Sequence, residues 1–319
     1  MIDNDFLNAL GLGNIVTNKR KLNHALRLAS FEPDFKYEMP KDRKGRVFFT
    51  RYKLLGRGFG CWVAGYRRNK RPRKDAPPAE KYVVIDWGVF ANGAADSAIG
   101  DVYIDMDDDN AAYCFASDEA SGNFLEFRLN NEMEIISMFR RAKSDPEAEQ
   151  MEENITGANF AMLMIFATII LPVDSEMRRA SEIDPTQISD DFAPDYDERE
   201  LRKRARAGDI EAETELAAKM VHYQSELRER LLNEDMLTVL DNYFLNLAEQ
   251  SGVFSILADI EHLEEITNEL TDEKLYRLDC RISGTKMSTY VNQKDIVGEP
   301  SPGMRLMGIG LAQGFILIP

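Results

Sequence analysis

The hydrophobic positions repeat with helical spacing near the start of the chain and then alternate as they do in strands. After Thr17, which can cap a helix, apolar residues recur at intervals of three and four, at Leu22, Ala25, Leu26 and Ala29. From residue 46, short runs rich in aromatic and β-branched residues are separated by Gly, Asp and Asn; they span residues 47–55, 61–66, 82–87, 101–105, 111–116 and 124–129. The pattern predicts a mostly antiparallel N-terminal sheet with flanking helices, one of them over residues 131–143.

Residues 154–173 carry no charge, and this run is long enough to be tested as a membrane span. Polar or helix-breaking residues interrupt it at Asn154, Gly157, Asn159 and Pro172, and both flanks are acidic, whereas an anchored span is usually flanked by Lys or Arg. The sequence therefore favours a buried helix end that runs into a buried strand, and we expect no membrane insertion.

The second half of the chain divides into an acidic stretch, a helical pattern and a region of strands. Residues 174–200 are acidic and aperiodic, which is typical of a linker. Residues 201–232 predict a helical hairpin that turns at Gly208, with Asp209 capping the second helix. Residues 236–247 suit either a helix or a buried strand.

Alternating residues return in the last third, where Phe254, Ile256, Ala258 and Ile260 occupy every second position. Five short strands in this region predict a small C-terminal β-barrel that resembles an OB-fold. The predicted fold class is therefore α+β. Its predicted parts are an α+β domain over residues 1–173, the linker 174–200, the hairpin 201–232 and the barrel 233–319.

The charge of the chain is unevenly distributed. Residues 1–80 contain 18 Lys and Arg against 8 Asp and Glu, a net charge of +10, and residues 81–319 contain 21 against 47, a net charge of −26. Intramolecular docking of the basic segment on the acidic remainder explains this asymmetry, and so does a basic arm for an anionic partner. Of the two, we favour docking.

The three cysteines, Cys61, Cys114 and Cys280, lie far apart in apolar or strand-like runs. An odd number of separated cysteines suits reduced thiols in a core better than a disulfide framework. The N-terminus is acidic and lacks the basic start of a secretory signal. The sequence therefore predicts a cytoplasmic protein.

Three local motifs resemble known functional signatures, but each is incomplete. The glycine-rich residues 55–63 resemble a kinase phosphate loop without the lysine, His-Arg-Asp or Asp-Phe-Gly that should accompany it. Asp105, Asp107 and Asp109 have calcium-loop spacing but lack the required glycine and closing glutamate. Ser283–Lys286 matches Ser-x-x-Lys, but in a predicted turn rather than at a helix start. We therefore predict no catalytic residue, no metal site and no cofactor.

One basic run remains as a candidate site for anions. It contains six cationic residues, namely Arg67, Arg68, Lys70, Arg71, Arg73 and Lys74. Such a run can contact phosphates, but it is also typical of a solvated loop between strands, which Pro72 here makes irregular. We favour the solvated loop and keep anion binding as the alternative.

Several segments resemble one bacterial family. They are Ile170–Val173, Ala205–Ala212, Lys294–Pro300, Pro302–Arg305 and Leu311–Gly314. The chain is similar to a family that is common in Gram-positive anaerobes and catalogued only as a domain of unknown function. Ala312 stands where that family is expected to have tryptophan, and the first 80 residues match least. The resemblance implies a cytoplasmic bacterial setting and transfers no site residue.

These observations favour a cytoplasmic interaction or regulatory protein without catalysis, with a protein as its partner. Binding of nucleic acid or nucleotide through residues 67–74 is the first alternative. An enzyme whose residues come from distant parts of the chain is the second, and a pocket of converging polar groups with perturbed acidity would support it.

Overall fold

The computed structural model describes most of the first 170 residues and almost all of the last 68. The described residues are 4–15, 17–39, 46–67, 82–93, 96–106, 112–119, 121–135, 155, 157–170, 204, 209–212, 214–215, 242–247 and 252–317. All statements below about structure concern these residues. They divide into two compact units, one formed by Met1–Ile169 with Tyr243–Pro319 and the other by Ile170–Asn242.

The first unit begins with two helices and a four-stranded antiparallel sheet. Helix α1 spans Asn4–Asn8 and helix α2 spans Lys19–Phe31. The strands follow one another in the order of the chain, as β1 (Phe35–Glu38), β2 (Val47–Gly56), β3 (Phe59–Arg67) and β4 (Tyr82–Ala91). The cap of α2 is Asn18, whose Oδ1 accepts from the Lys21 N–H at 3.2 Å, and not Thr17 as the sequence predicted.

A ten-stranded sheet forms the rest of this unit. Its strands are β5 (Asp96–Met106), β6 (Ala112–Asp118), β7 (Phe124–Leu129), β8 (Gly157–Ile170), β9 (Tyr243–Asn246), β10 (Val253–Thr267), β11 (Lys274–Ile282), β12 (Thr285–Asn292), β13 (Ile296–Val297) and β14 (Arg305–Leu317). Eight of them pair in a closed circuit, β5-β6-β7-β14-β10-β11-β12-β8 and back to β5. The sheet therefore closes into a barrel, in which β8 also pairs with β14 across the circuit. Closure leaves none of these eight strands as a free edge along its full length.

The uncharged run of the sequence is strand β8, and the prediction of a helix end within it is wrong. Phe160 and Met162 point into the barrel core, while Ala161 and Leu163 belong to the cluster on the other side of the strand. A strand that is buried on both faces needs apolar residues at every position, so it shows no alternation. The lack of charge over residues 160–164 therefore reflects a segment that lies between two cores.

Two large hydrophobic cores and a smaller cluster around Tyr52, Trp62 and Phe90 fill the unit. Inside the barrel, alternate residues of each strand pack together, including Cys114, Phe127, Phe160, Ile256 and Cys280. The second core joins the outer face of the barrel to the four-stranded sheet and to both helices; it includes Leu10, Ala29, Phe59, Val63 and Tyr290. The N-terminal sheet is thus a layer on the barrel wall, and burial of both surfaces stabilises the arrangement.

The predicted α+β architecture with a separate C-terminal barrel is wrong. The described chain is mostly strand and forms two sheets. Strands from residues 253–317 do not close a small OB-like barrel among themselves, because β12 pairs with β8 and β14 pairs with β7. The runs expected to form one N-terminal sheet are also divided, with β2–β4 in the first sheet and β5–β7 in the barrel.

The predicted hairpin and linker fall largely outside the described residues. Within the second unit, the Asp209 Oδ1 atom accepts from the N–H groups of Glu211 and Ala212 at 3.0 and 3.2 Å, as in a helix cap. Arg204 binds the other carboxylate oxygen, at 2.6 Å from Nη2. The structure does not show the helical hairpin, and residues 174–200 and 236–241 lie outside what it describes. Residues 243–246 are a strand, which settles that part of the ambiguous segment.

Among the described residues, the helices are all too short or too polar to cross a membrane.

Candidate functional site

A surface pocket of about 420 Å³ lies where the N-terminal sheet meets the barrel. We call it the amide pocket. Its lining residues come from β1, the segment after β4, β5, the turn after β7, β8 and β14; they are Phe35, Asn92, Asp96, Asn131, Glu134, Asn159, Phe315, Ile316 and Leu317. Its volume falls within the usual range for small-molecule sites, roughly 300 to 1,000 Å³.

Two of the three asparagines in the pocket hold the surrounding backbone. Asn131 pairs with β14, donating to the Ile316 carbonyl at 2.8 Å and accepting from the Ile316 N–H at 3.2 Å. Asn159 accepts from the Gly93 N–H and donates to Asp96 Oδ1 at 2.9 Å. These carboxamides replace a strand partner, so they keep the walls of the pocket in place.

Asn92 differs because its side-chain oxygen is free. Its N–H donates to the Gly58 carbonyl at 2.7 Å, and its own carbonyl accepts from the Tyr290 hydroxyl at 2.8 Å. The backbone is therefore fixed on both sides. The Oδ1 atom is nevertheless buried and has no hydrogen-bond partner among the described residues. A buried acceptor without a partner is uncommon and calls for an explanation.

Glu134 stands beside an aromatic cluster at the edge of the pocket. The Tyr52 hydroxyl donates to Glu134 Oε1 at 2.9 Å, and Tyr52 stacks on Phe35 with ring centroids 5.0 Å apart. Burial raises the pKa of Glu134 above its ordinary value, although hydrogen bonds from Tyr52 and Asn131 oppose the rise. Burial, together with the charge of Glu134, also raises the pKa of Tyr52. The pair is therefore a neutral phenol beside a carboxyl group that resists ionisation.

A second candidate surface lies on the outer face of the barrel. Tyr103, Phe115 and Phe124 come from three neighbouring strands, and we call them the aromatic row. The ring centroids of Tyr103 and Phe115 are 6.0 Å apart, and those of Phe115 and Phe124 are 6.5 Å apart. Tyr103 is 62% exposed and Phe124 is 60% exposed. Adjacent large aromatic side chains that remain this exposed are typical of interaction surfaces.

Comparison with known proteins places the chain in a family. The sequence model of the family described as "Domain of unknown function, E. rectale Gene description (DUF3881)" matches residues 7–314. The chain belongs to the DUF3881 family. The match confirms the resemblance to a family of unknown function, and it includes most of the first 80 residues. No curated protein and no solved structure gives a significant match.

The basic run of this DUF3881 protein is only partly described. Arg67 is exposed at the end of β3. Arg68, Lys70, Arg71, Arg73 and Lys74 lie outside the described residues, so anion binding by this run stays a prediction.

Two of the three incomplete motifs occupy turns. Residues 56–60 form the tight hairpin between β2 and β3, where Gly58 has a φ of +79°. Its carbonyl accepts from the Tyr290 hydroxyl at 3.2 Å, which is a packing role. Ser283 and Gly284 form the hairpin between β11 and β12. Of the calcium-like aspartates, Asp107 and Asp109 are not described.

All three cysteines are free and buried, as the sequence predicted. Burial raises the pKa of each thiol to about 12, so the groups stay protonated near neutral pH. A protonated thiol is a poor nucleophile and a poor metal ligand. Within the described part of the chain, groups of three or more His, Cys, Asp or Glu side chains suited to a metal ion do not occur.

Sequence reasoning missed both the amide pocket and the aromatic row. The pocket residues are distributed from position 35 to position 317, so they form no linear motif. The aromatic residues could be placed in strands, but the sequence did not show which strands would be neighbours. Tyr103 and Phe115 become partners only through the pairing of β5 with β6.

Proposed function

We propose that the protein is a cytoplasmic interaction or regulatory module that acts without catalysis and binds a protein partner through the aromatic row. The observation that carries this proposal is the exposure of Tyr103 and Phe124 on the barrel wall. Tyr and Phe are enriched in the cores of protein interfaces, where large and stiff rings bury much area at little entropic cost.

The charge around the aromatic row favours protein over nucleic acid. Strands β5, β6 and β7 contain a single cation, Arg128, and Glu126 lies directly opposite Phe115 in the ladder. Stacking sites for single-stranded nucleic acid combine aromatic rings with positive potential along the backbone. This face has the rings without the positive potential.

The cytoplasmic setting is supported by the three free cysteines. Proteins of oxidising compartments commonly pair their cysteines, whereas a reducing compartment keeps them as thiols.

The test is to purify the full chain gently from its own host at low salt and to measure the complexes by native mass spectrometry. We expect a second polypeptide in a fixed ratio with the wild type. The double variant Tyr103→Ser, Phe124→Ser should bind it about thirtyfold more weakly, because removal of an interface anchor costs about 2 kcal/mol or more.

Val297→Ser is the matched control, because Val297 is an apolar residue on β13 that is 68% exposed. It should retain the partner. Recovery of the bare chain alone, or equal recovery of the partner with the double variant, would reject the proposal.

Two alternatives remain, each with its own observation. Nucleic-acid binding through residues 67–74 is supported by the exposure of Arg67 at the end of β3. A function directed at a small molecule is supported by the amide pocket, where polar groups converge and the pKa of Glu134 is raised. The pocket contains no nucleophile beside a base among its described residues, so it supports binding more directly than catalysis.

A further inference from the structure

The exposed side of helix α2 is strongly cationic. Its four exposed Lys and Arg residues are Lys19, Arg20, Lys21 and Arg27, and the helix itself contains no carboxylate. Arg20 and Arg27 are seven residues apart, so they lie two turns apart on one side of the helix. The buried Ala25 and Ala29 lie on the opposite side. The positive charge therefore extends along the helix and is not confined to its first turn.

The protein does not neutralise this face internally. In the part of the chain that the structure describes, none of the four cations forms an ion pair with a carboxylate. The nearby Glu273 is already bound by Lys294 at 2.6 Å. That hydrogen bond lowers the pKa of Glu273 most, and the charge of Lys21 contributes least. The charge of α2 is therefore available to a partner.

The position of the cations opposes the stability of the helix. Lys19, Arg20 and Lys21 occupy the first turn after the Asn18 cap, and the last turn contains no basic residue. The N-terminal end of a helix carries partial positive charge, so cations destabilise it there and would stabilise it at the other end. Local rules of stability are most often broken at residues that serve function. The placement of these cations therefore favours a role in binding.

Three classes of anionic partner differ in what else they require. Single-stranded nucleic acid requires rings on which bases stack, and the exposed side chains of α2 include no Phe, Tyr or Trp. A membrane surface takes up the apolar side of a helix, but that side of α2 packs into the second core through Leu22, Ala25 and Leu26. An acidic protein segment requires only cations that its carboxylates can reach.

We propose that the exposed side of α2 binds an acidic segment of another protein, whose carboxylates pair with Lys19, Arg20 and Arg27. Residues 81–319 have a net charge of −26, so an acidic partner is repelled by that part of the chain and attracted by α2. This repulsion disfavours other orientations of the same partner. Helix α2 shares no residue with the aromatic row, so binding at α2 is independent of binding there.

The experiment measures the fluorescence anisotropy of a labelled peptide of eight glutamates as the full chain is added. A peptide of eight glutamines is the neutral probe, and an oligothymidylate and phosphatidylserine vesicles are the other anionic probes. We expect the glutamate peptide to bind, with a loss of about tenfold in affinity between about 50 and 300 mM salt, because salt screens exposed charges. Absence of binding, or tighter binding of the oligothymidylate or the vesicles, would overturn the proposal.

Two variants with the same loss of charge locate the binding. The α2 variant carries three substitutions: Lys19→Gln, Arg20→Gln and Arg27→Gln. The control variant replaces three exposed cations of the β2–β3 turn and of strands β11 and β12: Arg57→Gln, Arg281→Gln and Lys286→Gln. We expect the α2 variant to bind the glutamate peptide about tenfold more weakly and the control to bind it nearly as well as the wild type, since each exposed ion pair contributes modestly. Equal affinity of the two variants would reject α2 as the site.

Thermal unfolding distinguishes a partner from an internal ion pair. If the cations of α2 are kept for a partner, the α2 variant should unfold at the same temperature as the wild type or at a higher one, because glutamine no longer opposes the helix dipole. An unfolding temperature clearly below that of the wild type would show that these cations bind carboxylates of the chain itself, and it would overturn the proposal.

Discussion

At the scale of single residues, Glu132 is a buried carboxyl group whose ionisation opposes folding. It lies on the helical turn after β7, and its Oε2 atom accepts from the Ala112 N–H at 3.3 Å. Burial raises its pKa, and the negative charge of Asp86 adds to the rise, while the Ala112 hydrogen bond and Arg128 oppose it. The folded state therefore holds this proton more tightly than the unfolded chain does.

We predict that Glu132→Gln stabilises the protein near neutral pH. Because the pKa of Glu132 is higher in the folded protein than in the unfolded chain, protonation of Glu132 stabilises the folded state. This contribution to the free energy of unfolding is fully present below the ordinary glutamate pKa, about 4.3, and is lost as the pH rises through the raised pKa. Glutamine keeps the acceptor for Ala112 and removes the ionisation. At about pH 7.5 the free energy of unfolding of the variant should exceed that of the wild type, by about 1.4 kcal/mol for each unit by which the pKa of Glu132 differs between the folded and unfolded states. Near about pH 4 the two free energies should match.

Denaturant unfolding of both proteins across this pH range measures the difference. Glu119→Gln, which removes an exposed carboxylate after β6, controls for the loss of one negative charge. A stability difference for Glu132→Gln that is constant with pH would show that ionisation of Glu132 is not coupled to folding.

Residue-scale reasoning from the sequence succeeded where local chemistry decides the outcome. Cys61, Cys114 and Cys280 were predicted as buried thiols because each lies in an apolar run, and the structure confirms it. It failed where two neighbours compete, since Asn18 rather than Thr17 caps α2. It also missed Asn92, because the contacts that hold its backbone come from Gly58 and Tyr290, which lie far away in the sequence.

At the scale of elements, strands with one buried face were predicted well. In β6, buried and half-buried residues alternate along the whole strand, and in β10 the alternating residues 254, 256, 258 and 260 are all buried. Strand β8 was partly misread because burial on both faces removes the alternation. The periodicity of a run thus shows how many of its faces are covered, but an uninterrupted apolar run does not distinguish strand from helix.

The basic run at residues 67–74 gives a prediction at this scale. If it contacts phosphates, the full chain will retard a single-stranded oligonucleotide in a gel at low salt. Five such contacts imply a loss of about one hundredfold in affinity between about 50 and 200 mM salt. Replacement of Arg68, Lys70, Arg71, Arg73 and Lys74 by glutamine should abolish the retardation.

Replacement of Lys19, Arg20, Lys21 and Arg27 of helix α2 by glutamine is the matched control, because it neutralises a second group of cations in the N-terminal region. It should leave the retardation largely intact. Free migration of the oligonucleotide with the wild-type chain, or a shift that is insensitive to salt, would reject nucleic-acid binding by this run and leave a solvated loop.

At the scale of the whole molecule, the barrel is assembled from two distant segments of the chain. Strands β5–β8 come from residues 96–170 and strands β9–β14 from residues 243–317, and both segments contribute to one interior. The joints between them include short parallel pairings, of β12 with β8 and of β7 with β14. Alternation along each strand cannot show such pairings, which is why five C-terminal strands were expected to close a barrel by themselves.

This closure predicts that residues 233–319 do not fold in isolation. The fragment would expose the interior faces of β10, β11 and β12, because Phe127, Phe160 and Met162 pack there from the other segment. It would also leave β12 and β14 without their partners at the joints, and unpaired strand edges associate. We expect a fragment of residues 233–319 to show no cooperative denaturant transition and poorly dispersed amide resonances, whereas the full chain shows both a transition and dispersion.

Co-expression of residues 1–175 with residues 233–319 should restore a folded complex that purifies as one species, because the two pieces together contain every strand of the circuit. A cooperative transition in the isolated fragment would instead mean that β10–β14 carry a sufficient core of their own, and that residues 96–170 join a barrel half that is already formed.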